Sequence, residues 1–92
     1  MSIAKGPSLT KVVKALEHLW VEHEADYMVF LVEGATPQPE IIINVRASFK
    51  AKVEYLERAY NEDLTLKAVP HIKITKVAFC TESALADTIK DL

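Results

Sequence analysis

Three histidines, one cysteine and a scatter of carboxylates are the groups in this chain that could do chemistry. His18 and Glu22 lie one helical turn apart, with His23 and Glu24 directly after. Two ligands at i and i+4 can reach one metal ion, provided a third arrives from elsewhere. No His-Glu-x-x-His run and no second cluster supplies it, so these residues read as a solvated helix face and no metal is expected. Cys80 and His71 are the other candidate pair. A thiol becomes a nucleophile beside a base or at a helix N-terminus, and Cys80 does precede the last expected helix. Against this, a separation of nine places the two on opposite faces of a regular strand, a parity that only a bulge would change. Free cysteine more often serves as a small buried hydrophobe. The carboxylates of Glu22, Glu24, Asp26, Glu62 and Asp63 gather where helices end, and no spacing singles out an acid and a base in different environments. Neither a Gly-x-Gly-x-x-Gly turn nor a Walker loop occurs. No catalytic residue and no cofactor is expected.

Nucleic acid would have to be held by Lys11 and Lys14, or by Arg46, Lys67, Lys73 and Lys76 on strands. Single-strand recognition also needs aromatic side chains free to stack on bases. Most of the six Phe and Tyr residues fall at core positions, and the single tryptophan lies on a helix. Eleven basic against thirteen acidic side chains leave a net charge of −2, too balanced for a surface built around phosphates. Nucleic-acid binding is therefore not expected.

Positioning any such group falls to one domain, because 92 residues support a single two-layer core. The longest wholly apolar run, Tyr27 to Val32, is six residues against the ~20 of a membrane span. The first residues carry no apolar signal core, and one cysteine cannot form an internal disulfide. Together these predict a cytoplasmic protein with no membrane partner.

Leu9, Val12, Val13, Leu16, Leu19 and Trp20 recur at helical spacing behind Gly6-Pro7-Ser8, with Ser8 placed to cap the first amides. Tyr27 to Val32 is apolar on both alternating faces, the signature of a strand covered twice. Gly34 to Pro39 breaks the ladder, and Glu40 to Arg46 resumes it as the second arm of a hairpin. Ser48 to Asn61 forms a second helix with Phe49, Val53, Leu56 and Tyr60 in one stripe. Leu64 to Val69 alternates like a short edge strand ending at Pro70. His71 to Phe79 is a further strand whose apolar phase slips, so a bulge or twist is expected near Thr75-Lys76. Thr81 is placed to cap a last helix carrying Leu85, Ile89 and Leu92.

The order α-β-β-α-(β)-β-α predicts an α+β two-layer sandwich. A three- to four-stranded, mostly antiparallel sheet would carry two long helices on one face and a short C-terminal helix. The second apolar face of Tyr27–Val32, together with Ile42, then needs a cover, either the last helix or a second copy of the chain. This surplus of apolar strand surface points to a non-catalytic protein-interaction module, a small regulator, adaptor or inhibitor docking on itself or a larger assembly. Thr36, Pro37 and Gln38 in the stiff loop, and Leu64 and Leu66 on the expected edge strand, are the candidate contact residues. The alternatives are a small enzyme with Cys80 and His71 at a dimer seam, or a weak nucleic-acid binder through Arg46, Lys73 and Lys76.

Overall fold

The computed structural model describes residues 2–3, 8–21, 25–46 and 48–92, with backbone alone at 2–3 and 20–21. Trp20, Glu22, His23, Glu24 and the Gly6-Pro7 helix start therefore fall wholly or in their side chains outside the described residues. The elements are β1 (Ser2–Ile3), α1 (Leu9–Val21), β2 (Tyr27–Glu33), β3 (Glu40–Val45), α2 (Phe49–Ala59), β4 (Lys73–Cys80) and α3 (Leu85–Asp91), the last preceded by a 3₁₀ turn at Glu82–Ala84. Three longer strands and the two-residue β1 make one antiparallel sheet in the order β1-β4-β2-β3. The fold is the expected α+β sandwich.

Alternation along β2 divides the core in two. Met28, Phe30 and Val32 point to one face, where they meet Val12, Leu16 and Leu19 of α1 and Leu56 of α2 in a single buried cluster. Val29 is equally buried on the opposite face, beside Ala78 of β4. Lys76 shares that second face with Ala78 by alternation, and its Nζ donates to the Leu92 carbonyl at 2.9 Å. That bond places the C-terminal helix over the β4 side of the second face, against which α3 packs. Of the two covers considered for this face, α3 thus supplies one, packed against β4.

β4 contains the expected irregularity. Leu31 stands opposite Lys76 and Val32 opposite Ile74, so Thr75 is the extra residue of a bulge. The extra residue switches the parity of the strand and brings Ile74 onto the same core face as Val77 and Phe79. The slipped phase in the sequence is this bulge.

Two expectations need correction. Residues 64–69 do not form an edge strand; they make only the isolated bridges Tyr60–Leu66 and Thr65–Lys73. The Asp63 carboxylate accepts from the Thr65 amide at 3.1 Å and from its hydroxyl at 2.6 Å, which curls the chain into a turn. Leu64 then takes a left-handed φ of 66° and drops its side chain into the core. The apolar alternation that resembled a strand reflects Leu64 and Leu66 packing inward from a coiled segment. Thr81, for its part, makes no capping bond to the last helix; its hydroxyl pairs with that of Ser83 at 3.2 Å. Ser48, by contrast, caps α2, accepting from the Ala51 amide at 3.3 Å.

The end of α2 is set by Tyr60, whose ring sits edge-on to Tyr55 at 6.5 Å. Burial, reinforced by the neighbouring Tyr55, pushes the Tyr60 phenol up to about 12, so it stays neutral at any physiological pH.

Gly34 holds the turn after β2 at a φ of 100°, where a Cβ would lie 2.2 Å from the His71 carbonyl oxygen. The conformation and the backbone contact both forbid a side chain. Gly34→Ala should therefore destabilise the fold by about 2 kcal/mol or more, read as a lowered urea midpoint at unchanged slope; an unaltered midpoint would contradict this geometry.

Candidate functional site

The catalytic candidates are not brought together. His71 lies in the turn before β4 and Cys80 at its far end, and an eight-residue strand at ~3.3 Å per residue keeps them about 20 Å or more apart. Cys80 is buried, cross-strand from Tyr27. Among the described residues no three His, Cys, Asp or Glu side chains converge as metal ligands would.

The described carboxylates that sequence offered as acids or bases are occupied in holding the chain. Glu62 reaches the start of α1, where its two oxygens accept from the Thr10 hydroxyl at 2.8 Å and the Thr10 amide at 3.1 Å. Its carbonyl accepts from the Leu9 amide at 2.8 Å, while Ser8 caps Lys11 and Val12. All four leading amides of α1 are satisfied, two of them by a residue 52 positions or more away. Hydrogen bonds from the Thr10 hydroxyl, then the Thr10 amide, lower the Glu62 pKa. The Thr65 hydroxyl and amide, with the charge of Lys73, do the same for Asp63. Asp26 takes the Glu82 amide at 2.9 Å and so fixes the 3₁₀ turn to the start of β2. A depression of about 260 Å³ lined by Leu9, Thr10, Val13, Lys14, Glu57 and Glu62 lies beside the α1 cap, and its polar groups include those capping contacts.

Several lysines are likewise committed to carbonyl oxygens. Lys52 donates to Asn44 Oδ1 at 3.1 Å with its ammonium 5.5 Å from the Tyr55 ring centroid, Lys67 donates to the Glu57 carbonyl at 2.9 Å, and Lys76 to Leu92. Arg46 and Lys73 stand at opposite ends of β2, beside Asp26 and Glu33. Arg46, Lys73 and Lys76 do not form a continuous track: the first two stand at opposite ends of β2, and Lys76 is bonded to Leu92.

Of the expected contact residues, Thr36, Pro37 and Gln38 are exposed in the loop that leads into β3, with the Thr36 hydroxyl donating to the Gln38 carbonyl. Leu64 is fully buried and Leu66 is partly buried against the core, so neither is an exposed contact residue.

Sequence reasoning placed the edge on residues 64–69, whereas the structure places it on β3. This strand is the last in the sheet order, with no strand on its outer side among the described residues. Ile41, Ile42, Ile43 and Val45 are 38, 40, 43 and 64 % exposed, a concentration of large apolar side chains on one strand. Asn44 alone interrupts them, tied to the Met28 carbonyl at 3.0 Å and to Lys52. The Ile41-Ile42-Ile43 run was a readable signal: it is apolar on both faces, as β2 is, but among the described residues its side chains stay partly exposed.

The backbone adds a second property. The Arg46 amide donates to the Asp26 carbonyl at 2.9 Å, so even-numbered residues of this strand turn their amide and carbonyl groups toward β2. Ile41, Ile43 and Val45 turn theirs outward. An edge combining unpaired backbone groups with apolar side chains is a template for pairing with another strand.

No protein-family model matches the chain, and no curated protein or solved structure is found similar to it. No helix among the described residues is long and apolar enough to cross a membrane.

Acid stability follows from the helix cap. Because the folded Glu62 pKa lies below its ordinary 4.5, its contribution is present above that value and disappears as pH falls through the lowered one. The difference in urea midpoint between the native chain and Glu62→Gln should be constant near neutrality and shrink progressively below pH 4.5. A difference independent of pH down to complete acid unfolding would show that the carboxylate charge is not what caps α1.

Proposed function

We propose that this chain is a non-catalytic protein-interaction module, a small cytoplasmic regulator, adaptor or inhibitor that acts by docking, and that β3 is its docking element. The observation that carries this reading is the open edge of β3, where four large apolar side chains are exposed beside outward-turned backbone groups. Natural sheets blunt such edges with lysine, proline, a bulge or a very short strand. Between Glu40 and Val45 there is no lysine and no proline, and the β2–β3 register runs without a shift. The opposite edge, β1, is two residues long. An unblunted apolar edge is tolerable in a protein that keeps it occupied.

The loop residues Thr36, Pro37 and Gln38 enter this surface as its flank, since Pro39 leads straight into β3. The separated positions of Cys80 and His71, and the structural duties of the described carboxylates and lysines, favour docking over catalysis. A buried thiol with no disulfide partner suits a reducing compartment.

Function should follow the edge and ignore the thiol. With the purified chain as bait, Ile41→Lys should reduce capture of its partner at least tenfold at unchanged circular dichroism. Cys80→Ser and His71→Ala should leave capture intact. Loss of function with Cys80→Ser at native stability would instead establish a thiol-dependent activity.

A further inference from the structure

The occupant of the β3 edge can be read from its own sequence. We infer that β3 pairs antiparallel with β3 of a second copy of this chain, about a two-fold axis at Ile43, extending the sheet across both subunits. The inference rests on the docking role proposed for β3 and names its partner.

Three independent conditions select this register. The first is hydrogen-bond parity: outward-turned groups occur at Ile41, Ile43 and Val45, so antiparallel pairing must place odd residues opposite odd ones. A two-fold axis at Ile43 does so, setting Ile43 against its own copy and Ile41 against Val45.

The second condition is side-chain matching. Ile41, Ile43 and Val45 also share one sheet face, the one on which α3 packs against β4, because β2 places Leu31, Val29 and Tyr27 directly opposite them. In this register their exposed surfaces meet one another as an unbroken apolar row.

The third condition is charge. Glu40 and Arg46 flank the apolar run, and the axis at Ile43 sets Glu40 of each copy opposite Arg46 of the other, twice by symmetry. Glu40 is exposed at the start of the strand, and Arg46 continues the ladder just past its end. Sliding the copies by two residues moves Glu40 opposite Asn44 or beyond the strand and loses both charge pairs. Parallel pairing would run Glu40 beside Glu40. The segment Glu-Ile-Ile-Ile-Asn-Val-Arg is thus complementary to itself in one orientation and one register. The interface is isologous and closes on itself, which consumes the edge and prevents growth into a fibre.

Sedimentation equilibrium on the native chain and on charge and core variants tests this. The native chain should sediment as a dimer at tens of micromolar. Ile43→Lys, which sets two like charges against each other on the axis, should sediment as a monomer with an unchanged circular dichroism spectrum. Glu40→Arg alone should weaken dimerisation at least tenfold, and adding Arg46→Glu to it should restore the affinity to within about threefold of native. Ile41→Lys serves as a second disruption should Ile43→Lys fail to fold. A native chain monomeric at several hundred micromolar overturns the inference. So does a dimer that survives both lysine variants, or a double charge swap that leaves the Glu40→Arg defect uncorrected. If the chain is monomeric but Ile41→Lys still abolishes capture of another protein, the edge docks a different partner and the interaction reading stands without self-pairing. If neither behaviour responds to edge variants, both readings fall together.

Discussion

The burial of β2 on both faces is the constraint on which the rest of this structure depends. Met28, Phe30 and Val32 require α1 and α2 above the sheet, and Val29 requires a cover beneath it. Helix α3 is seven residues long, and the Lys76–Leu92 bond holds the end of the chain over β4. So short a helix makes its sheet contacts chiefly with β4. β3 must still be present, because it satisfies the second edge of β2, yet among the described residues its isoleucines stay partly exposed. The exposed isoleucines follow from the position of β3 at the end of the sheet order, beyond the sheet contacts α3 makes with β4.

The polar groups show the same economy. Glu62 could have been an acid in a cleft; it closes the N-terminus of α1 from across the fold, where a carboxylate is favoured by the helix dipole and by amides lacking partners. Asp63 shapes the turn that delivers Leu64 to the core, and Asp26 joins the 3₁₀ turn to the sheet. Lysines 52, 67 and 76 reach carbonyl oxygens at places where one element meets the next. Among the described residues no polar or charged side chain is fully buried. The outer parts of this small domain are fastened with exposed hydrogen bonds.

Local pattern made most of the fold legible. Helical spacing marked α1 and α2, Pro and Gly marked the hairpin loop, and the slipped phase of Ile72, Ile74, Val77 and Phe79 marked the bulge at Thr75. The failures came where tertiary context decides. Alternation at 64–69 resembled a strand because inward-pointing leucines alternate in a coil as well, and the left-handed Leu64 is a conformation that sequence gives little warning of. β1 was invisible, since a two-residue strand has no period to detect. The candidate site was legible only as a surplus of apolar strand surface. Assigning that surplus to β3 required the strand order, because whether a both-sided apolar strand is central or peripheral is set by its neighbours and not by its own residues.

Amide hydrogen exchange along β3 tests the open, self-pairing edge most directly. In dilute solution the amides of Ile42, Asn44 and Arg46, bonded to β2, should exchange slowly, and those of Ile41, Ile43 and Val45 should exchange fast. Raising the protein concentration should slow the second group toward the first. Uniform protection in dilute solution would mean that the chain itself covers this edge, and fast exchange of the odd residues at every concentration would mean that no second copy ever does.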